Sequence, residues 1–142
     1  MKTSLIEKIR YRLKQNVSSH RYEHSLGVAN IAIYLANKHN VDEESAHIAA
    51  LLHDYAKEFS KEQVEGYISK NNLIIDEIMS NTYQLLHGKI AAHIAKKQFD
   101  INNDDILNAI EYHTTGRKKM SKLEKIIYIA DFMESATDHI DI

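Results

Sequence analysis

The chain has 142 residues, 44 % of them hydrophobic, enough for one domain with a sizeable core and too many for a disordered chain. Eighteen basic against twenty acidic side chains leave a net charge of −2, which argues against a general nucleic-acid coat or a membrane-surface module. There is no cysteine, so disulfides, thiolate zinc sites, iron–sulfur clusters and a cysteine nucleophile are excluded, and a cytoplasmic setting is expected.

Proline is absent and glycine occurs only four times. Both residues interrupt helices, so an all-α fold is expected: one helical bundle of about seven helices spanning 1–142. The N-terminus is charged and amphipathic and lacks the apolar block and cleavage site of a signal peptide. Ser4 followed by Glu7 reads as a capping box and predicts a helix over 3–15. Residues 20–38 carry Tyr22, Leu26, Ala29, Ile33 and Ala36 at three- and four-residue spacing, which is one helical face. Asp42 before Glu43 and Glu44 starts a third helix, predicted over 43–54. Ser60 with Gln63 caps a fourth over 61–70. Starts near Asn81 and at Asn103-Asp104-Asp105 predict helices over 82–98 and 103–113, and Ser121 with Glu124 caps the last, over 121–134. The longest apolar runs are about five residues, too short to span a bilayer.

Two carboxylates stand in costly places. Asp54 ends the run Ile48-Ala49-Ala50-Leu51-Leu52-His53, and Asp131 follows Ile126-Ile127-Tyr128-Ile129-Ala130. Helices that are apolar nearly all round are buried, and an unpaired carboxylate there is penalised by several kcal/mol, roughly. Each therefore needs a positive partner: a Lys or Arg, a helix N-terminus, or a metal ion. The nine histidines, at 20, 24, 39, 47, 53, 87, 93, 113 and 139, favour the metal. They are dispersed rather than clustered as a tag. His53 adjoins Asp54, His24 lies on the second helix, His87 follows Leu85-Leu86, and His113 ends an apolar-faced helix. Imidazoles with carboxylates suit iron, zinc, manganese, cobalt or nickel. Six such groups exceed one tetrahedral zinc and suit two metals sharing a bridging carboxylate. His20 is spaced for pairing with His24 but reads as a surface or capping residue. His39, His47, His93 and His139 read as structural or exposed. Gly27, inside a helix, points to a close approach by a neighbouring helix or by the metal site.

His24, His53-Asp54 and Asp131 match the H…HD…D signature, and the chain resembles the HD-domain phosphohydrolase superfamily. Within it, the chain is similar to the YqeK family through Arg21 to Ala29, Leu51 to Lys57, Leu85-Leu86-His87-Gly88, Ala109 to Gly116, and Met120 to Glu134. The resemblance implies a helical domain with a dinuclear centre, iron in that family, ligated by His24, His53, Asp54, His87, His113 and Asp131, with Asp54 as the bridge. It also implies symmetrical hydrolysis of diadenosine tetraphosphate (Ap4A) to two ADP. After its Ala-Asp block the family continues with a Glu-Pro-x-Arg segment. Here Glu134 is followed by Ser135-Ala136-Thr137, so that C-terminal segment is expected to be missing or divergent, which bears on the substrate wall and on any contact of a homodimer that it would supply.

The expected mechanism is in-line attack on phosphorus by hydroxide, which a divalent metal makes available at neutral pH. Asp54 and Lys57 are the expected catalytic residues. Lys57 lies one turn beyond Asp54 and reaches a phosphate oxygen or the developing charge. Thr114, Thr115, Gly116 and Arg117 form the expected substrate loop, with Lys118 and Lys119 adding positive charge beside it. The competing readings are another HD phosphohydrolase, acting on nucleotide monophosphates or cyclic dinucleotides, and a non-catalytic, metal-stabilised nucleotide-binding module. A nucleic-acid partner is not expected, because the basic residues form no long stripe.

Overall fold

Side-chain caps start most of the helices, and those at Asp42, Ser60, Asn103 and Ser121 are the ones the sequence predicts. Ser18 accepts from the Arg21 N–H and opens α2 (Ser19–Lys38), and Asp42 accepts from the Ser45 N–H and opens α3 (Glu43–Leu52). Ser60 and Gln63 close a reciprocal capping box before α4 (Lys61–Lys70), and Asn103 caps α7 (Asp104–Glu111). Ser121 and Glu124 make the same reciprocal pair before α8 (Lys122–Asp138), at 3.1 and 3.2 Å. Ser4 differs: α1 (Lys2–Asn16) already runs from Lys2, so Ser4 lies in its first turns and is exposed. The remaining elements are α5 (Glu77–Ser80), a single turn absent from the predicted set, and α6 (Tyr83–Gln98). This computed structural model describes residues 2–81 and 83–138, so His139 lies outside the described residues. Among the described residues there is no strand, and the architecture is all-α. No helix is long and apolar enough to cross a membrane.

α3 is the centre of the bundle. Ala46 and the whole run Ile48 to Leu52 are buried, which explains why its sequence is apolar on every side. α2 packs on it, and its buried residues include Val28, Ala29, Ala32 and Ala36, mostly small side chains that let helix backbones approach closely. α8 lies against α2 and α7 with Leu123, Ile126, Ile127 and Ala130 buried. α6 packs on α7 so closely that a Cβ added to Gly88 would meet the Glu111 carbonyl oxygen.

Two helices stop earlier than their apolar pattern predicts. α3 ends at Leu52 rather than 54, and α7 ends at Glu111 rather than 113. Beyond α3 the chain tightens into turns in which the N–H groups of Tyr55, Lys57 and Phe59 reach carbonyls three residues back. The apolar run is unbroken across the boundary, so periodicity alone does not mark the change. The α3 stop falls immediately before His53, and the α7 stop falls two residues before His113, with Tyr112 as its C-cap.

Candidate metal centre

His53 follows α3 and His113 follows the C-cap of α7, and the two do the same thing with their rings. Each Nδ1 donates to the carbonyl three residues back, His53 to Ala50 at 2.6 Å and His113 to Ile110 at 2.8 Å. Carbonyls at a helix end lack an intrahelical partner, and these imidazoles supply one. Each Nε2 is then turned away from its own helix. His24, in the middle of α2, meets a carboxylate instead: its Nδ1 lies 2.5 Å from Glu134 Oε1. The Nε2 atoms of His24 and His53 face both Asp54 and Asp131, and that of His113 faces Asp54. His24 Nε2 is 2.8 Å from Asp131 Oδ1, His53 Nε2 is 3.3 Å from that oxygen and 3.4 Å from Asp54 Oδ2, and His113 Nε2 is 3.2 Å from Asp54 Oδ1. His24, His53, Asp54 and His113 are buried, whereas the Asp131 side chain keeps 24 % of its exposure.

The charges fit this picture. Burial opposes charge on His53, but Asp54 and Asp131 beside it more than offset that, and its pKa is pushed up to about 10. Burial also disfavours the Asp54 carboxylate, yet His53 and His113 hold its pKa well below the usual range. Asp131 is likewise depressed against its burial, by His24 and His53. Asp54 additionally takes a cation from the protein: Arg21 Nη1 lies 3.0 Å from its Oδ2. Of the positive partners the sequence calls for, Asp54 thus has an arginine, alongside the histidines.

His24, His53, Asp54 and Asp131 each bring one ligand atom within 4.8 Å of the others. Donors around a divalent ion at about 2.0–2.2 Å must lie at short separations from each other, so the set has the right scale and chemistry for such an ion. His113 adjoins it through Asp54. His87 is not one of those four residues; it is half-buried on α6, next to the Gly88–Glu111 contact that draws α6 onto the end of α7. A cleft of about 190 Å3 opens at the site, lined by His113, Thr114, Tyr128, Asp131, Phe132 and Ser135.

Residues 21–136 match the HD domain. The chain belongs to the HD domain family. A crystal structure from Clostridium acetobutylicum, described as a predicted HD superfamily hydrolase involved in NAD metabolism, is 44 % identical with a TM-score of 0.84, over 90 % of this chain and 68 % of that one. The symmetrical bis(5'-nucleosyl)-tetraphosphatase of Bacillus subtilis is 39 % identical over 86 % of this chain and 65 % of its own length. The enzyme of the same name from Staphylococcus aureus is 38 % identical over 91 % of this chain and 66 % of its own length. The chain therefore spans about two thirds of the length of the curated relatives it matches.

The other expected residues of this HD domain are placed as follows. Lys57 is exposed, and its N–H reaches the Asp54 carbonyl at 3.0 Å, so it sits one tight turn beyond Asp54 although α3 does not continue. Gly116 takes a left-handed φ of 67°, the conformation that glycine makes easy, and Thr115 Oγ1 donates to its carbonyl. Arg117 is engaged with the protein itself: it makes a two-pronged pair with buried Glu124, at 2.8 and 3.0 Å, and lies over the Tyr112 ring. Its guanidinium pins the loop to the start of α8. Arg21 and Glu134 were not foreseen as site residues. The available signal was their spacing: Arg21 is three residues before His24, and Glu134 three after Asp131, each on the face of its ligand.

Proposed function

We propose that the chain carries a metal-dependent hydrolase centre that cleaves diadenosine tetraphosphate symmetrically to two ADP. The observation that carries this reading is the convergence of three imidazole Nε2 atoms on Asp54 and Asp131, each ring fixed from behind through Nδ1. The names of the bacillar and staphylococcal relatives support a bis(5'-nucleosyl) tetraphosphate as the substrate class and symmetrical cleavage. His24, His53, Asp54, His87, His113 and Asp131 are the residues that would hold two divalent ions, iron in the first instance. When bound, the metals supply hydroxide at neutral pH and Lewis-acid contact to phosphoryl oxygens.

The chain's own residues do the rest. Asp54 and Asp131 hold the negative charge that retains the cations, inside walls that exclude most water. The cleft beside Asp131 and His113 receives the polyphosphate, with Thr114 among its lining residues. Lys57, exposed at the tight turn after Asp54, compensates charge on the phosphates and on the departing nucleotide. Gly116 shapes the Thr114–Thr115 loop, and Arg117 acts through that loop by holding it against Glu124. The test is product identity. The protein, purified anaerobically and loaded with ferrous iron, is expected to yield ADP alone from diadenosine tetraphosphate. ATP plus AMP overturns symmetrical cleavage, and no turnover by metal-loaded protein moves the assignment to another nucleotide or to a binding module.

A further inference from the structure

We infer that Glu134 is a positioning residue of the metal centre, orienting His24, and that Gly27 supplies the space it occupies. His53 and His113 stand beyond helix ends, where free carbonyls three residues back accept their Nδ1 protons. His24 has no such option. It lies inside α2, where neighbouring carbonyls are committed to the helix, so its Nδ1 needs an acceptor from another element. Glu134 on α8 is that acceptor, at 2.5 Å, with its side chain only 15 % exposed. A carboxylate behind a metal-binding imidazole fixes the ring, puts the proton on Nδ1 and leaves Nε2 to face the ion.

Gly27 completes the arrangement. It sits three residues after His24 on the same face of α2, as Glu134 sits three after Asp131 on α8. A Cβ built on Gly27 would lie 2.8 Å from Glu134 Cγ and 2.9 Å from its Oε2. Its φ is not left-handed, since Gly116 is the glycine with that conformation among the described residues. Backbone freedom therefore does not explain a glycine inside a 20-residue helix, and the room given to Glu134 does.

This inference rests on the metal-centre reading, and the experiment separates the two. Manganese affinity is measured calorimetrically, together with Tm in chelator, for the wild type, Glu134→Gln, Glu134→Ala, Gly27→Ala and the Gly27→Ala/Glu134→Ala double variant. Glu134→Ala is expected to weaken manganese binding about 10- to 100-fold. Glu134→Gln, which keeps an acceptor oxygen, loses less. Gly27→Ala weakens binding in the wild type by crowding Glu134. In the Glu134→Ala background it leaves affinity unchanged and raises Tm, because alanine is the better helix former once the space is empty. In zinc-loaded protein the His24 Nδ1 proton is expected to exchange slowly by NMR in the wild type and quickly in Glu134→Ala. Equal manganese affinity in the wild type, Glu134→Gln and Glu134→Ala overturns the assignment, as does a loss from Gly27→Ala that is the same in both backgrounds. A wild type that binds no manganese, zinc or iron overturns the metal centre itself.

Discussion

Asp54 is the residue on which most of the site's charge converges: Arg21 and three imidazole Nε2 atoms lie within 3.5 Å of its carboxylate. Asp54→Ala is expected to abolish both metal retention and hydrolysis, read by metal analysis and product release. Arg21 supplies positive charge that a bound ion also supplies, so its importance depends on loading. Arg21→Gln should destabilise the metal-free chain by about 1–3 kcal/mol, since a buried carboxylate loses a charged partner, and should destabilise the manganese-loaded chain less. Urea unfolding in chelator and in manganese compares the two, and equal losses contradict the argument. His53 sets the pH dependence. Its pKa is about 10 in the folded, metal-free chain and about 6.5 when unfolded, so the proton's contribution to stability is complete below 6.5 and lost as pH rises through about 10. Metal binding at pH 7 must therefore displace this proton, and calorimetry in buffers of different ionisation enthalpy should register its release. The cluster of His24, His53, Asp54 and Asp131 was legible because carboxylates beside apolar runs demand an explanation. Arg21 and Glu134 were not, because surface-spaced charges on amphipathic helices are ordinary until the tertiary fold brings them 33 and 110 residues across the chain.

Helix ends, rather than helix middles, carry most of the site's design. Capping chemistry made the starts of α3, α4, α7 and α8 readable to within a residue or so, since Asp42, Ser60, Asn103 and Ser121 act locally. The ends of α3 and α7 were not readable, because His53 and His113 continue the apolar pattern while their Nδ1 atoms satisfy the carbonyls that a longer helix would have used. The single turn α5 is too short for a helical period to show in the sequence. The loop between α7 and α8 has its own anchor. Glu124 accepts from Arg117 and from the Ser121 N–H, and its buried carboxylate is held below the usual range despite burial, chiefly by Arg117. Glu124→Ala therefore removes a cap and an ion pair together and should lower stability by about 1–3 kcal/mol. Arg117→Ala should do less, because that side chain is 37 % exposed and screened by solvent. Denaturation midpoints of the two variants decide the order, and a larger loss from Arg117→Ala would contradict it.

On the scale of the molecule, the centre is a junction of distant chain segments. α2 supplies His24, the ends of α3 and α7 supply His53, Asp54 and His113, and α8 supplies Asp131. The all-α class was legible from the absence of proline and the helical spacing, but the order of packing was not. Small residues on α2 permit a close neighbour without specifying that α3 and α8 are the neighbours. A metal bound here ties those four elements together, and it binds the folded chain alone because the unfolded chain has no assembled site. At a hundredfold excess over Kd it should stabilise the fold by about 2.7 kcal/mol, a Tm shift on the order of 10 °C. Chelator should remove the shift and manganese restore it, with Tm rising as the manganese concentration rises. Asp131→Asn should keep the fold, since its side chain is part-exposed and near-isosteric, yet lose the manganese-dependent shift because the anionic donor is gone. If Asp131→Asn still showed the full shift, the stabilising ion would lie elsewhere on the molecule. If the wild type showed none at saturating manganese, the carboxylates would be neutralised by Arg21 and the histidines alone.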